Sequence, residues 1–168
     1  ARLGGLPAGF RRRWLEQYQT STQNGESLIA LSDGLSLVPE ASSCGVNVAA
    51  NAKVAFDCFE AGHARCAMIQ YLGFCNIGWD THESNYNQVM HYEDLFTYLI
   101  DIMADLDTRP GELGGSLADE VTIAVFSEMG RHPALNNWLG RDHWTFTSAM
   151  LMGAGIAGGQ TIGGLDDS

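Results

Sequence analysis

The sequence predicts an α/β fold with a mostly parallel sheet flanked by helices. Three observations predict it. Residues 66–74 form a short apolar segment bounded by turn residues, residues 86–107 show a helical apolar pattern, and residues 121–126 are apolar and rich in β-branched side chains. A strand, a helix and a strand in this order are typical of parallel sheets. We expect a third strand over residues 146–152.

Composition indicates one globular domain. The chain has 168 residues, of which 45% are apolar and 17% charged, so wholesale disorder is excluded. The net charge of −11 repels phosphate backbones, and the one basic run, Arg11-Arg12-Arg13, is too short to reverse this. We therefore expect no nucleic-acid partner. No stretch of about 18 apolar residues exists, so we also expect no transmembrane segment.

The chain divides into two parts. Residues 1–46 are an irregular N-terminal segment in which glycine, proline and Asn-Gly recur, with one helix expected over residues 9–20. Residues 47–168 form the α/β core portion and begin with a helix over residues 47–62 that Gly62 ends. The N-terminal helix carries three aromatic residues at helical spacing, namely Phe10, Trp14 and Tyr18. Because the first residue is Ala1 rather than Met, we interpret the chain as processed or cut.

The cysteines exclude two kinds of site. Cys44, Cys58, Cys66 and Cys75 contain no CxxC spacing, so neither a zinc ribbon nor a thioredoxin-like motif is present. Cysteine commonly packs as a small apolar residue, and we favour buried free thiols over a disulfide.

Polar residues lie at or near the ends of the predicted strands, and a parallel sheet holds its ligands at the carboxyl ends of its strands. Asp80 and His82 follow the first strand, Glu128 follows the second, and His143 precedes the third. Carboxylate and imidazole groups suit a divalent metal such as zinc or manganese. Structural roles stay open for each: His82 could cap the next helix or pack on an aromatic ring, Glu128 could form an ion pair, and His143 could lie in a surface loop.

A second group of residues could support such a site. Asp142 adjoins His143 and could orient its ring, as carboxylates do for metal-bound histidines. Asn85, Arg131 and Arg141 are candidates for orienting ligands or binding substrate. We interpret His63 and His91 as structural. The glycine-rich residues 153–159 lack the strand–loop–helix context of a dinucleotide site.

Four motifs together resemble a known family. They are GWDTH at 78–82 with Asn85, VFSEMGR at 125–131, GRDHW at 140–144 and GAGIAGGQTIG at 153–163. Over residues 49–167 the chain resembles domain-of-unknown-function family 1501, a bacterial group related to the alkaline phosphatase and sulfatase superfamily. Members of that family are commonly longer and are often exported by the twin-arginine route. The resemblance implies a carboxyl-terminal portion of a periplasmic or extracellular protein.

The superfamily resemblance implies a metal-dependent hydrolase acting on small phosphate or sulfate esters. It implies that Asp80, His82, Glu128 and His143 bind zinc, manganese or calcium, which would act as a Lewis acid. Two departures favour an alternative: Met129 stands where relatives carry histidine, and the superfamily's nucleophile lies upstream of the matched motifs. The alternative is a non-catalytic binding or assembly protein on a degenerate sulfatase-like fold, which would form an oligomer or larger assembly.

Overall fold

The computed structural model describes residues 8–34, 44 and 47–164. Within these residues, three helices precede four short strands. They are α1 (Ala8–Gly34), α2 (Val48–Glu60), α3 (Gln88–Thr108), β1 (Thr122–Phe126), β2 (Gly130–Arg131), β3 (His143–Trp144) and β4 (Ala149–Gly153). Single turns of 3-10 helix lie at Phe74–Asn76 and Leu117–Asp119. None of the helices in these ranges combines the length and apolarity needed to cross a bilayer.

The predicted parallel sheet is wrong. The strands form two separate antiparallel pairs, β1 with β4 and β2 with β3. A parallel pair needs a crossover connection, usually a helix. The chain between β1 and β4 holds only β2, β3 and loops, so β4 returns alongside β1 in the opposite direction.

Two of the three predicted strands exist. The strand predicted over residues 121–126 is confirmed as β1, and the third corresponds to β4, which begins three residues later and ends one residue later than expected. Residues 66–74 form no strand, and Met68 in their middle is 93% exposed. The Tyr71 side chain holds this segment against α3 instead: its hydroxyl donates to Asp94 Oδ2 at 2.6 Å and lies 3.1 Å from the carbonyl oxygen of His91.

The first two helices differ in how well local signals predicted them. The boundaries of α2 follow the expected signals: the Asn47 side chain accepts the N–H of Ala50 at 3.0 Å, and Gly62 adopts φ +70° just after the last turn. In contrast, α1 continues past residue 20, where we expected the helix to end, and runs through Asn24 and Gly25. A glycine inside a helix costs only about 1 kcal/mol, so neighbouring residues can carry the helix past it.

The core lies between α2, α3 and the turn at Leu117–Asp119. Its buried apolar side chains are Val48, Ala52, Phe56, Ile102, Leu106 and Leu117. Of the apolar residues in the helical pattern predicted over residues 86–107, Leu99 and Leu106 are buried, and Leu106 belongs to this core. Val89, Tyr92 and Phe96 of the same pattern are exposed, because the buried side of α3 is rotated toward Ile102 and His91.

The preference for free thiols is wrong for two of the four cysteines. Cys44 and Cys75 are joined by a disulfide. Cys58 is half-buried and Cys66 is exposed, both as free thiols. The bond connects Cys44, N-terminal to α2, to the loop that leads into residues 78–82. Sequence spacing did not reveal this pair because it depends on the tertiary placement of the loop.

A buried histidine on α3 supports that same loop. His91 is 1% exposed, and its Nδ1 accepts the N–H of Phe74 at 2.8 Å. Its ring lies 4.9 Å from that of Trp79. A Cβ at position 73 would approach the imidazole to 2.9 Å, so Gly73 permits this close packing.

We expect His91→Phe to lower the free energy of unfolding by about 2 kcal/mol. The phenyl ring keeps most of the packing but leaves the N–H of Phe74 without its acceptor. Urea unfolding measures the effect. His63→Phe is the matched control, because the imidazole of His63 has no hydrogen bond within the described ranges and its loss should change stability little. An equal loss in both variants would contradict this role for His91.

Candidate functional site

The β2–β3 pair places two predicted site residues on neighbouring backbones. Arg131 lies opposite His143, and Gly130 lies opposite Trp144. Opposite residues of an antiparallel pair project to the same face, so the guanidinium and the imidazole start side by side. The N–H of His132 donates to the carbonyl of Asp142 at 2.8 Å and extends this pairing.

The backbone of residues 80–82 is hydrogen-bonded to the loop between β2 and β3. The N–H of Arg141 donates to the carbonyl of Thr81 at 2.7 Å. The Asn136 side-chain amide donates to the carbonyl of His82 at 2.8 Å. Gly140 packs directly on both of these carbonyls, and any Cβ there would overlap them. Asp80 and His82 are thereby held beside β2 and β3, although about 50 residues of chain intervene.

Four side chains then meet, and we call them the histidine–arginine cluster: Asp80, His82, Arg131 and His143. The ring centroids of His82 and His143 are 4.6 Å apart. Asp80 Oδ1 contacts His82 Nδ1 and also accepts the backbone N–H of His82 at 3.0 Å. Arg131 Nη1 lies 3.1 Å and 3.2 Å from the two ring nitrogens of His82. Its Nη2 lies 3.4 Å from Asp80 Oδ1.

The carboxylates at the cluster are held in their ionised form. The backbone N–H of His82, then its ring and the charge of Arg131, keep the pKa of Asp80 below its usual value. The pKa of Glu128 is also lowered, first by its own backbone N–H and the Ser127 hydroxyl, with smaller effects from Arg131 and His143. Both groups are therefore anionic near neutral pH.

The remaining predicted residues lie at the edge of the cluster or in its supporting loops. Glu128 is exposed after β1 and accepts the Ser127 hydroxyl at 3.1 Å. Arg131 pairs with Asp80 rather than with Glu128. Arg141 donates to the carbonyls of His132 and Pro133.

Asp142 and Asn85 also lie outside the cluster. Asp142 Oδ1 accepts the Asn136 amide at 3.0 Å, so this carboxylate fixes the loop and does not hydrogen-bond the His143 ring. Asn85 Oδ1 is buried without a hydrogen-bond partner in the described part of the chain.

The chain matches a known protein family. The model of a family described as a protein of unknown function, DUF1501, matches residues 16–168. The chain belongs to the DUF1501 family. No curated protein matches this DUF1501 chain significantly, and no solved structure does.

The donor chemistry of this DUF1501 cluster suits a divalent ion, because imidazole nitrogens and ionised carboxylates are typical ligands. The arrangement of these side chains is less favourable for binding an ion. Within residues 8–34, 44 and 47–164, no three His, Cys, Asp or Glu side chains lie close enough together to share an ion. Arg131 lies against both ring nitrogens of His82, so an ion bound there has to compete with a guanidinium.

Sequence reasoning missed the residue that organises the DUF1501 site. Asn136 donates to His82 and Asp142, and its Oδ1 accepts the N–H groups of Trp138 and Gly140 at 2.9 Å and 3.0 Å. One amide thus joins residues 80–82 to the loop before β3. The available signal was a polar loop with Asn136 four residues before Gly140, a pattern common to many unrelated turns.

Proposed function

We propose that this DUF1501 chain contributes the oxyanion-binding part of a metal-dependent hydrolase site for phosphate or sulfate esters. The observation that supports it is the meeting of Arg131 with His82 and His143 in a protein of net charge −11. A guanidinium donates in a fork that matches phosphate and sulfate oxygens. Hydrogen-bond donors are therefore gathered at this cluster, although the chain as a whole is acidic.

The chain's own residues have distinct roles in this proposal. Arg131 binds the ester oxygens and holds their orientation. His82 is fixed by Asp80, which holds the ring in one tautomer as carboxylates do for catalytic imidazoles. His143 is exposed, and in this proposal its imidazole serves as a metal ligand.

The proposed metal is zinc, manganese or calcium. The residues that would hold it are Asp80, His82, Glu128 and His143, whose side chains would have to move closer together to share one ion. When bound, such an ion supplies Lewis-acid polarisation of an ester oxygen. The support for a metal comes only from the chemistry of the carboxylate and imidazole ligands.

Hydrolysis of an aryl phosphate and an aryl sulfate, measured with each metal and with chelator, tests the proposal. We expect chelator-sensitive turnover that His82→Ala and His143→Ala each lower at least about 100-fold. His63→Ala, outside the cluster, should leave it unchanged. Elemental analysis should find metal in the unmodified chain and less in His82→Ala. Absence of both metal and turnover would contradict the proposal.

A second function, oxyanion binding without catalysis, is favoured by a specific observation. Among the described residues, no serine or threonine hydroxyl hydrogen-bonds an imidazole ring, and Ser127 donates to Glu128 instead. Ser42 and Ser43 lie outside the described residues. Met129 adds a thioether that hard ions bind poorly. Calorimetry would then show phosphate or sulfate binding that Arg131→Met abolishes, with no turnover under any metal condition.

We also propose a periplasmic or extracellular location. The support is the Cys44–Cys75 disulfide, since such bonds persist mainly in oxidising compartments. Mass spectrometry after alkylation, with and without reductant, should find two blocked and two free cysteines in protein isolated from its native compartment.

A further inference from the structure

The outer face of α3 carries an exposed apolar stripe. Its members recur at helical spacing and are Val89, Tyr92, Phe96 and Ile100, each between 47% and 72% exposed. Exposed acids accompany them: Glu93 borders the stripe, and Asp107 continues it toward the end of the helix. A contiguous apolar surface of this kind indicates a docking site.

A stripe with the opposite charge lies on α1. Phe10, Trp14 and Tyr18 are exposed along one face, and the rings of Trp14 and Tyr18 stack at 5.5 Å. At about 3.6 residues per turn, Arg11 and Arg13 lie on either side of this stripe. Arg12 lies on the opposite face, where it pairs with Glu16 at 3.7 Å.

We propose that the chain forms a closed dimer in which α1 of each copy packs on α3 of the other. The charges that flank each apolar stripe determine which two stripes can pack together. Two α3 stripes would bring acid against acid, and two α1 stripes would bring arginine against arginine. Of these three pairings, only α1 packed against α3 joins apolar surfaces whose flanking charges are opposite. Reciprocal exchange closes the assembly with two equivalent interfaces.

The exposed area is sufficient for this assembly. Aromatic side chains bury about 200 Å² each, and the five rings of one interface are about half exposed, so they contribute roughly 500 Å². Two interfaces, with their aliphatic and backbone contacts, reach the roughly 1,200 Å² at which specific association begins.

Analytical ultracentrifugation tests the dimer. We expect a concentration-dependent dimer whose dissociation constant rises at least about 30-fold with Trp14→Glu or Phe96→Asp. Arg11→Glu/Arg13→Glu should weaken it, and adding Glu93→Lys/Asp107→Lys should restore it. Arg12→Glu is the matched control and should have no effect. Circular dichroism and thermal unfolding show whether each variant remains folded.

Mixing two variants tests the reciprocal geometry. Trp14→Glu and Phe96→Asp should each dimerise more weakly than the unmodified chain. An equimolar mixture retains one intact α1–α3 interface and should associate more tightly than either variant alone. A monomer at every concentration overturns the proposal. A Trp14→Glu chain that dimerises as well as the unmodified chain overturns it too, since that result means α1 is not in the interface.

Discussion

Arg109→Met is expected to lower the free energy of unfolding by about 3 kcal/mol, measured by urea denaturation. The guanidinium is 9% exposed and contacts carboxylate oxygens of Asp57 at 2.8 Å, Asp105 at 2.9 Å and Glu60 at 3.0 Å. It also lies 5.4 Å from the ring centroid of Phe56 in the core. Methionine keeps much of the apolar packing but leaves three carboxylates close together without their cation.

The effect of Arg109→Met should depend on pH. Burial raises the pKa of Asp57, but hydrogen bonds from Arg109 and Lys53 outweigh it and leave the pKa below its usual value. A carboxyl group with a lowered pKa in the folded state stabilises the fold above its unfolded pKa of about 3.9. That contribution disappears as pH falls further through the folded pKa. The difference in free energy of unfolding between the unmodified chain and Arg109→Met should therefore become smaller below about pH 4.

A surface arginine supplies the control. Arg65 pairs with Glu112 at 3.8 Å, and both side chains are exposed. Arg65→Met should change the free energy of unfolding by less than about 1 kcal/mol, because exposed ion pairs contribute little. Similar losses in the two variants, or a loss for Arg109→Met that grows toward acid pH, would contradict the role assigned to Arg109.

Gly140→Ala is expected to destabilise the chain by about 3 kcal/mol and to separate residues 80–82 from the loop before β3. The added methyl group would overlap the carbonyls of Thr81 and His82, which are backbone atoms and cannot move aside by changing rotamer. The backbone has to shift, so the hydrogen bond from Arg141 to Thr81 should be lost. Phosphate or sulfate binding by calorimetry should fall along with stability.

Gly158→Ala is the matched control. A Cβ at Gly158 meets no atom within 4 Å, and its φ lies outside the left-handed region that favours glycine. The substitution should leave both stability and anion binding nearly unchanged. If Gly140→Ala behaved like Gly158→Ala, the close docking of residues 80–82 on Gly140 would be refuted.

Local signals predicted the elements that depend on few neighbours. Asn47 and Gly62 mark the ends of α2 because capping and positive φ are properties of single residues. The β-branched residues of β1 predicted a strand, but they did not predict its partner. Pairing depends on the connection between strands, and the absence of a crossover helix between β1 and β4 decided it.

The sequence predicted several residues of the candidate site, but it predicted the wrong strand arrangement around them. We expected Asp80, His82, Glu128 and His143 to gather at the carboxyl ends of parallel strands. Asp80, His82 and His143 do meet, but an antiparallel pair and the Asn136 amide bring them together. Arg131, expected in a supporting role, contacts His82 directly. The ligand roles stay predictions.

The sequence by itself determined the acidic character of the chain, its family motifs, the limits of α2 and the presence of β1. Each of these is carried by composition or by residues adjacent along the chain. Only the tertiary structure decided which strands pair, which face of α3 is buried, that Cys44 bonds Cys75, and that Arg131 contacts both His82 and Asp80. These depend on contacts between distant segments, whose free energies act together and leave no local pattern.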